Sequence, residues 1–161
     1  MDPSSVGGIT EFAIVVAGFT GLVLALGSRN GATNQLVKFR TVTMLFYAFT
    51  AAFGSLLPLL WQSFGADAIW RYSGLVLVVL LGANMLATLV SSRLLLTAED
   101  RQKLATWMWF LVMIGNTLFA VILLCSIFGL VGLAMEGAFI SALIWQLILS
   151  SILFTRLILQ V

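Results

Sequence analysis

Five long apolar stretches divide the chain, and short polar segments separate them. They run from about residue 9 to 27, 41 to 61, 69 to 91, 106 to 129 and 137 to 159. Each stretch is close to the roughly 20 apolar residues that an α-helix needs to cross a bilayer. The pattern predicts an all-α fold, a polytopic transmembrane helix bundle of five spans, with residues 1–161 forming one domain.

The first stretch occupies the position of a secretory signal peptide, but it lacks the basic segment that precedes the apolar core of such a peptide. Asp2 is the only charged residue before Glu11. We therefore expect residues 9–27 to span the membrane. A re-entrant or interfacial helix is the alternative.

Basic residues gather in alternate links between the stretches. With five spans, seven of the eight Lys and Arg residues fall on one face: Arg29, Lys38, Arg40, Arg93, Arg101, Lys103 and Arg156. Links rich in Lys and Arg remain in the cytoplasm. We therefore expect the N-terminus outside and the C-terminus in the cytoplasm. The compact cytoplasmic face favours the inner (plasma) membrane of a bacterium.

The composition excludes a soluble globular enzyme. Hydrophobic residues make up 61% of the chain and charged residues 9%, whereas soluble domains are nearer half apolar and a quarter charged. The chain has no His and one Cys, which excludes Ser-His-Asp chemistry, histidine-ligated metal or haem and an internal disulfide. We expect no catalytic activity, no cofactor and no metal site.

Small residues recur at helical spacing in three of the stretches. In lipid, such residues mark places where helices pack closely, within one chain or between copies. The spacing of four therefore predicts close helix contacts, and we expect the chain to self-associate. The helix-packing ladder of the first stretch comprises Ala13, Ala17, Gly21 and Ala25, and shorter ladders are Ala83–Ala87–Ser91, Gly137–Ser141 and Ala138–Ala142.

Three amide side chains interrupt the later stretches near their middles: Asn84, Asn116 and Gln146. Polar groups inside hydrocarbon are rare and usually have a role. One interpretation is a pore or selectivity element lined by amides. The other is hydrogen bonding between helices, which is the more common use of such residues.

Two carboxylates lie at the starts of apolar stretches, Glu11 in the first and Glu136 in the last. In the predicted topology both face outside. Repeated around a symmetric oligomer, either would form an acidic ring that concentrates cations at a pore mouth. The ordinary alternative is stabilisation of a helix N-terminus by a negative charge.

The first predicted link is rich in turn-forming residues and contains Arg29, Lys38 and Arg40. These three are candidates for contact with a cytosolic anion or anionic lipid. A simple solvated basic loop is the alternative. The link lacks the Gly-Lys-Ser/Thr ending of a nucleotide-binding loop, and nothing indicates specific binding to nucleic acid.

These features together favour a small homo-oligomeric ion channel or pore, with a cation preference set by the outer acidic residues. The alternatives are a non-catalytic accessory or scaffold subunit of a larger membrane complex, and a small dimeric transporter. The expected partners are the lipid bilayer, other copies of the chain, inorganic ions, and a cytosolic anionic ligand or regulatory partner.

Overall fold

The computed structural model describes residues 35–65, 67–97, 106–130, 132 and 134–158, together with the single positions 8, 11, 14, 15 and 18. Within these residues the fold is all-helical, without strands. The four long helices are α1 (Gln35–Ser63), α2 (Ile69–Leu95), α3 (Thr106–Ile127) and α4 (Met135–Ile158). All four are long and apolar enough to cross a membrane, which confirms the prediction of a transmembrane helix bundle at this level.

The helices extend beyond the apolar stretches at the basic ends. Helix α1 begins at Gln35, six residues before the predicted start, so placing Lys38 and Arg40 in a link was wrong. Helix α2 likewise continues past residue 91 to Leu95. Lys and Arg are good helix formers, and their long stems lie along apolar surface while the charged ends reach polar surroundings. Hydropathy alone therefore underestimates these helices. Helices α3 and α4 end at Ile127 and Ile158, each within two residues of the prediction.

The first predicted span is described only at single positions. Gly8, Glu11, Ile14, Val15 and Gly18 are helical and exposed, and their spacing places them on one face of a helix. The remainder of that stretch, including the ladder Ala13, Ala17, Gly21 and Ala25, lies outside the described residues.

Successive helices run antiparallel, and α4 returns beside α1. Tyr47 pairs with Thr88, and Thr50 pairs with Asn84, so α1 and α2 run in opposite directions. Helix α2 also contacts α4 across the diagonal of the bundle. The helix starts of α1 and α3 therefore lie at the same end as the helix ends of α2 and α4.

Glycines lie in the two short links, α1–α2 and α3–α4, at the opposite end of the bundle. Gly65 and Gly129 have φ values of 67° and 68°, a left-handed conformation that glycine adopts without steric cost. After α3, the Leu130 N–H donates to the Cys125 carbonyl at 2.8 Å and the Gly129 N–H donates to the Ser126 carbonyl at 3.2 Å. This pair of bonds is a Schellman motif, which satisfies the last carbonyls of the helix.

The two ends of the bundle differ in charge. One end, here named the basic end, carries Lys38, Arg40, Arg93 and Arg156. At the opposite end, the described charged residues are Asp67, Arg71 and Glu136. Aromatic rings also meet at this opposite end, where Trp61 and Tyr72 lie 5.5 Å apart between ring centres.

Two apolar clusters fill the bundle on either side of its middle. The cluster nearer the basic end includes Met44, Val112, Leu149 and Leu153. The cluster nearer the opposite end includes Leu77, Leu81, Leu123, Phe139 and Leu143. The buried amide side chains Asn84, Asn116 and Gln146 lie between these two clusters.

Candidate functional site

The three amide side chains predicted from the sequence meet at the centre of the bundle. Asn84 Nδ2 lies 3.1 Å from Gln146 Oε1, and Gln146 Nε2 lies 2.8 Å from Asn116 Oδ1. Asn84 is 4% exposed, and Asn116 and Gln146 are fully buried. Gln146 therefore bridges α2 and α3 from the facing helix α4.

Hydroxyl groups extend this contact to α1. Asn84 Nδ2 also donates to Thr50 Oγ1 at 2.8 Å. The Thr88 hydroxyl donates to the Asn84 carbonyl at 2.8 Å and lies 3.1 Å from the Tyr47 hydroxyl. Because the single hydroxyl hydrogen of Thr88 is already used, Tyr47 is the donor in the second bond.

The Asn116 side chain completes the connection. Its Nδ2 group has no hydrogen-bond partner among the described residues, and the Tyr47 hydroxyl group lies close enough to interact with it electrostatically. All four helices are thereby joined through one group of buried side chains. We name this group the polar cluster; its members are Tyr47, Thr50, Asn84, Thr88, Asn116 and Gln146.

Part of the polar cluster could have been recognised from spacing. Tyr47 and Thr50 are three residues apart in α1, and Thr88 follows Asn84 by one turn of α2, so each pair shares a helix face. Tyr47, Thr50 and Thr88 do not stand out in the sequence, because single hydroxyl groups in an apolar span commonly bond to their own helix.

Glycines bring the helices close enough for the amides to meet. A methyl group added at Gly115, next to Asn116, would overlap the indole ring of Trp145. At Gly54 it would lie 2.7 Å from a Leu143 methyl carbon. Small residues at helix contacts are typical of membrane bundles. The absence of a side chain at Gly115 therefore leaves room for the indole ring of Trp145, the residue that precedes Gln146.

The acidic candidates lie away from the polar cluster. Glu136 is the second residue of α4 and is partly exposed. Ten residues separate it from Gln146, which is about 15 Å along a helix. Glu11 is helical and exposed. The structure thus groups the three amides and leaves both carboxylates on the surface.

Helix α4 exposes a face on which small and hydroxyl-bearing residues accompany aliphatic ones. Its exposed positions are separated by four, three, four and seven residues, so they lie on one helix face. Small and hydroxyl-bearing residues occupy the two ends of the stripe, and two isoleucines occupy the middle. The stripe comprises Gly137, Ser141, Ile144, Ile148 and Thr155, with the half-buried Ser151 beside it. We name it the α4 stripe.

The exposed faces of α1 and α3 are mainly large and apolar at mid-span, whereas α2 also exposes the small residues Gly82 and Ala83. On α1 the exposed residues include Phe46, Phe49, Phe53 and Leu56, and on α3 they include Phe110, Ile114, Leu118 and Val121. Such surfaces match lipid tails. The α4 stripe therefore differs in character from the exposed faces of α1 and α3.

The basic candidates divide between surface and interior. Arg29 lies outside the described residues, and Lys38 is exposed. Arg40 is 8% exposed and lines a cavity of about 40 Å³ at the basic end. Arg156, which was not among the predicted ligand contacts, lines the same cavity from α4.

Comparisons with protein-family models, curated proteins and solved structures find no match to this chain. The arrangement of its helices and side chains is therefore the basis for assigning a function.

Proposed function

We propose that the protein is a homo-oligomeric ion channel in which the α4 stripe of each copy lines a pore. The observation that carries the proposal is the character of this stripe. Gly137 and Ser141 lie towards one end and Thr155 towards the other, and Ile144 and Ile148 lie between them. Small and hydroxyl residues suit a wetted path, and a narrow apolar ring suits a gate that closes by excluding water.

The interior of a single chain is poorly suited to conduction. The amides of the polar cluster bond to one another, and apolar residues fill the bundle on both sides of them. In this proposal the ion path runs between copies of the chain. The polar cluster has a structural role, since it holds together the four helices of each copy. Bonds of this kind each contribute about 0.6 kcal/mol in measured membrane bundles.

Glu136 supplies the ion preference in this proposal. It lies at the start of α4, one residue before the α4 stripe begins. Repeated around the pore axis, its carboxylate raises the local concentration of cations at the mouth. Glu11 is the second candidate for such a ring, because it is also exposed on a helix.

The proposed topology has five spans, with residues 9–27 as the first, the N-terminus outside and the C-terminus in the cytoplasm. The clustering of Lys38, Arg40, Arg93 and Arg156 at one end supports this orientation, because Lys and Arg are enriched on the cytoplasmic side. The proposed location is a bacterial inner membrane.

The test is a planar-bilayer recording of the purified protein in asymmetric KCl. We expect discrete currents that reverse towards the potassium equilibrium potential. The assembly is tested separately by disulfide cross-linking in membranes. In a Cys125→Ser background, Ser141→Cys should cross-link copies through the α4 stripe, whereas Thr117→Cys, exposed on α3, should not.

The two measurements distinguish the alternatives. Cross-linking at position 141 without current would favour a dimeric transporter or a channel that needs an activator. Equal cross-linking at positions 141 and 117, with no current, would contradict the pore and favour an accessory or scaffold subunit.

A further inference from the structure

A cavity lies at the basic end of the bundle, and its lining reaches the polar cluster at Thr88. Its volume is about 40 Å³, enough for about three groups the size of a water molecule at 10–15 Å³ each. All four helices contribute to the lining, including Thr43 from α1, Trp109 from α3 and Leu153 from α4. The α4 stripe faces outward, so the cavity is a separate feature of the molecule.

The surface inside this cavity is almost entirely apolar. Its aromatic and aliphatic lining residues are Phe39, Trp109, Val112 and Leu153. Walls of this kind offer water few hydrogen-bond partners, and such cavities in proteins accept small apolar molecules. The walls therefore suit the carbon atoms of a ligand.

Thr43 adds a polar group to these walls. Its side chain is 3% exposed, and its hydroxyl oxygen has no hydrogen-bond partner among the described residues. Burying a hydroxyl group without a partner is costly. A ligand oxygen in the cavity can remove this cost, because it can accept the hydrogen that Thr43 donates.

Thr88 offers the complementary group. Its hydroxyl hydrogen goes to the Asn84 carbonyl, and its oxygen accepts from the Tyr47 hydroxyl group. A hydroxyl oxygen has two lone pairs, so the Thr88 oxygen can accept one more hydrogen. The lining thus contains a donor at Thr43 and an acceptor at Thr88, and the hydroxyl group of an alcohol can bond to both.

We propose that this cavity binds a short neutral alcohol, with its hydroxyl group between Thr43 and Thr88 and its carbon atoms against Trp109. The volume suits one oxygen and about two or three carbon atoms. The apolar walls disfavour a ligand with several polar groups, because each group would lose its hydrogen bonds to water. Arg40 and Arg156 complete the lining, but the match to a neutral ligand comes from the hydroxyl groups and the apolar walls.

Quenching of tryptophan fluorescence by brominated probes tests the site in the purified protein, with Cys125→Ser to prevent alkylation. Bromoethanol carries a hydroxyl group, and n-propyl bromide has nearly the same shape with a methyl group in its place. A bromine atom held in the cavity lies beside Trp109 and quenches it, so binding appears as a saturable loss of fluorescence. Trp109→Phe should abolish the saturable part, whereas Trp61→Phe, at the opposite end of the bundle, should keep it.

Two threonines of α1 provide a test and its control. Thr43→Val keeps the shape of the side chain and should weaken bromoethanol binding by about threefold or more, the loss of a neutral hydrogen bond. It should leave the binding of n-propyl bromide unchanged. Thr41 is 2% exposed, and its hydroxyl group also lacks a partner among the described residues, but it does not line the cavity. Thr41→Val should therefore leave the binding of both probes unchanged.

Saturable quenching by bromoethanol that Thr43→Val weakens and Thr41→Val does not would support the alcohol site. Quenching that rises linearly and persists in Trp109→Phe would overturn the proposal, because the probe would then only be dissolved in the detergent. Equal effects of Thr43→Val on the two probes, or equal effects of the two threonine changes, would also contradict it, as would tighter binding of β-bromopropionate, a carboxylate of similar size. No current is measured, so the proposed function stands or fails separately.

Discussion

Asn84 donates a hydrogen bond to Gln146 across the diagonal of the helix bundle, with 3.1 Å between Nδ2 and Oε1. The two residues are 62 positions apart in the chain, and each lies within an apolar helix. The hydrogen bond fixes the axial register of α2 and α4. A shift by one turn would separate the two amides, and hydrocarbon contains no water that could replace the lost bond.

Removing the Gln146 amide should lower stability more than removing the Thr117 hydroxyl group does. Gln146→Leu takes away partners of both Asn84 and Asn116, and we expect it to lower the free energy of unfolding by about 1–3 kcal/mol. Unfolding in mixed SDS micelles measures the change. Thr117→Val is the control, because the exposed Thr117 hydroxyl bonds only weakly outside its own helix; a loss as large in the control would contradict the prediction.

A double-mutant cycle tests whether Asn84 and Gln146 act together. The loss in Asn84→Leu/Gln146→Leu should be smaller than the sum of the two single losses, by about 0.6–1.7 kcal/mol. Simple additivity would mean that the observed bond contributes no measurable coupling. The same variants recorded in a bilayer should keep their single-channel conductance, since the proposed path runs outside the bundle.

The chain has two tyrosines, and the same substitution at the buried Tyr47 and at the exposed Tyr72 provides a test and its control. Tyr47→Phe removes the hydroxyl group that bonds to Thr88, and it should cost about 1 kcal/mol of unfolding free energy. Tyr72→Phe alters a half-exposed ring beside Trp61 and should leave stability within about 0.5 kcal/mol. Equal effects of the two changes would argue against a bonded role for Tyr47.

Gly115 and Gly82 test the close contact between α3 and α4. Gly115→Ala places a methyl group against the Trp145 indole, and we expect overpacking to cost about 1–3 kcal/mol. Gly82 has nothing within 4 Å of an added methyl group, so Gly82→Ala should be neutral or stabilising by up to about 1 kcal/mol. Thermal unfolding in detergent distinguishes the two, and a tolerated Gly115→Ala would mean that Trp145 moves freely.

The isoleucines of the α4 stripe should control opening. Ile148→Ser makes the proposed constriction wettable, so we expect a higher open probability in bilayer recordings. Ile114→Ser is the control, because Ile114 is exposed on the apolar face of α3. If both changes raise the open probability equally, the effect does not come from a gate on α4.

Neutralising the carboxylate at the pore mouth should change ion preference. We expect Glu136→Gln to lower the permeability of potassium relative to chloride, measured as a reversal potential nearer the chloride value. The shift should shrink as salt rises, because the Debye length falls from about 10 Å at 0.1 M to about 3 Å at 1 M. Glu11→Gln tests the second acidic candidate, and Asp67→Asn is the control, since Asp67 lies exposed in the α1–α2 link at the same end.

Hydropathy located the helices well because the transfer of each residue into lipid depends mainly on that residue. The starts of α2 and α3 match the predicted positions, and the ends of α3 and α4 lie within two residues of them. The start of α1 was misplaced because helix formation continues through Lys38 and Arg40, which hydropathy counts as polar. The three central amides were conspicuous in the sequence because polar groups in an apolar stretch are rare, and the structure brings them together. Their role in a pore stays a prediction.

Hydropathy and helical spacing do not reveal the direction in which each residue faces. Lys38 is exposed and Arg40, two positions later, is buried, although both are basic residues of the same helix end. Among the small-residue ladders, Ala138 and Ala142 pack inside, whereas Gly137, Ser141 and Ala83 face outward. Spacing establishes that such residues share a face, and it does not say which neighbour covers that face.

The partners of the central polar groups likewise emerge only from packing. Gln146 bonds to residues 62 and 30 positions away, and Arg40 and Arg156 share a cavity although 116 positions separate them. Hydropathy and helical period are local properties, so the chain alone specifies the helices and their polar interruptions. Contacts between distant helices depend on how their surfaces fit, and that fit brings together the polar cluster and the arginine-lined cavity.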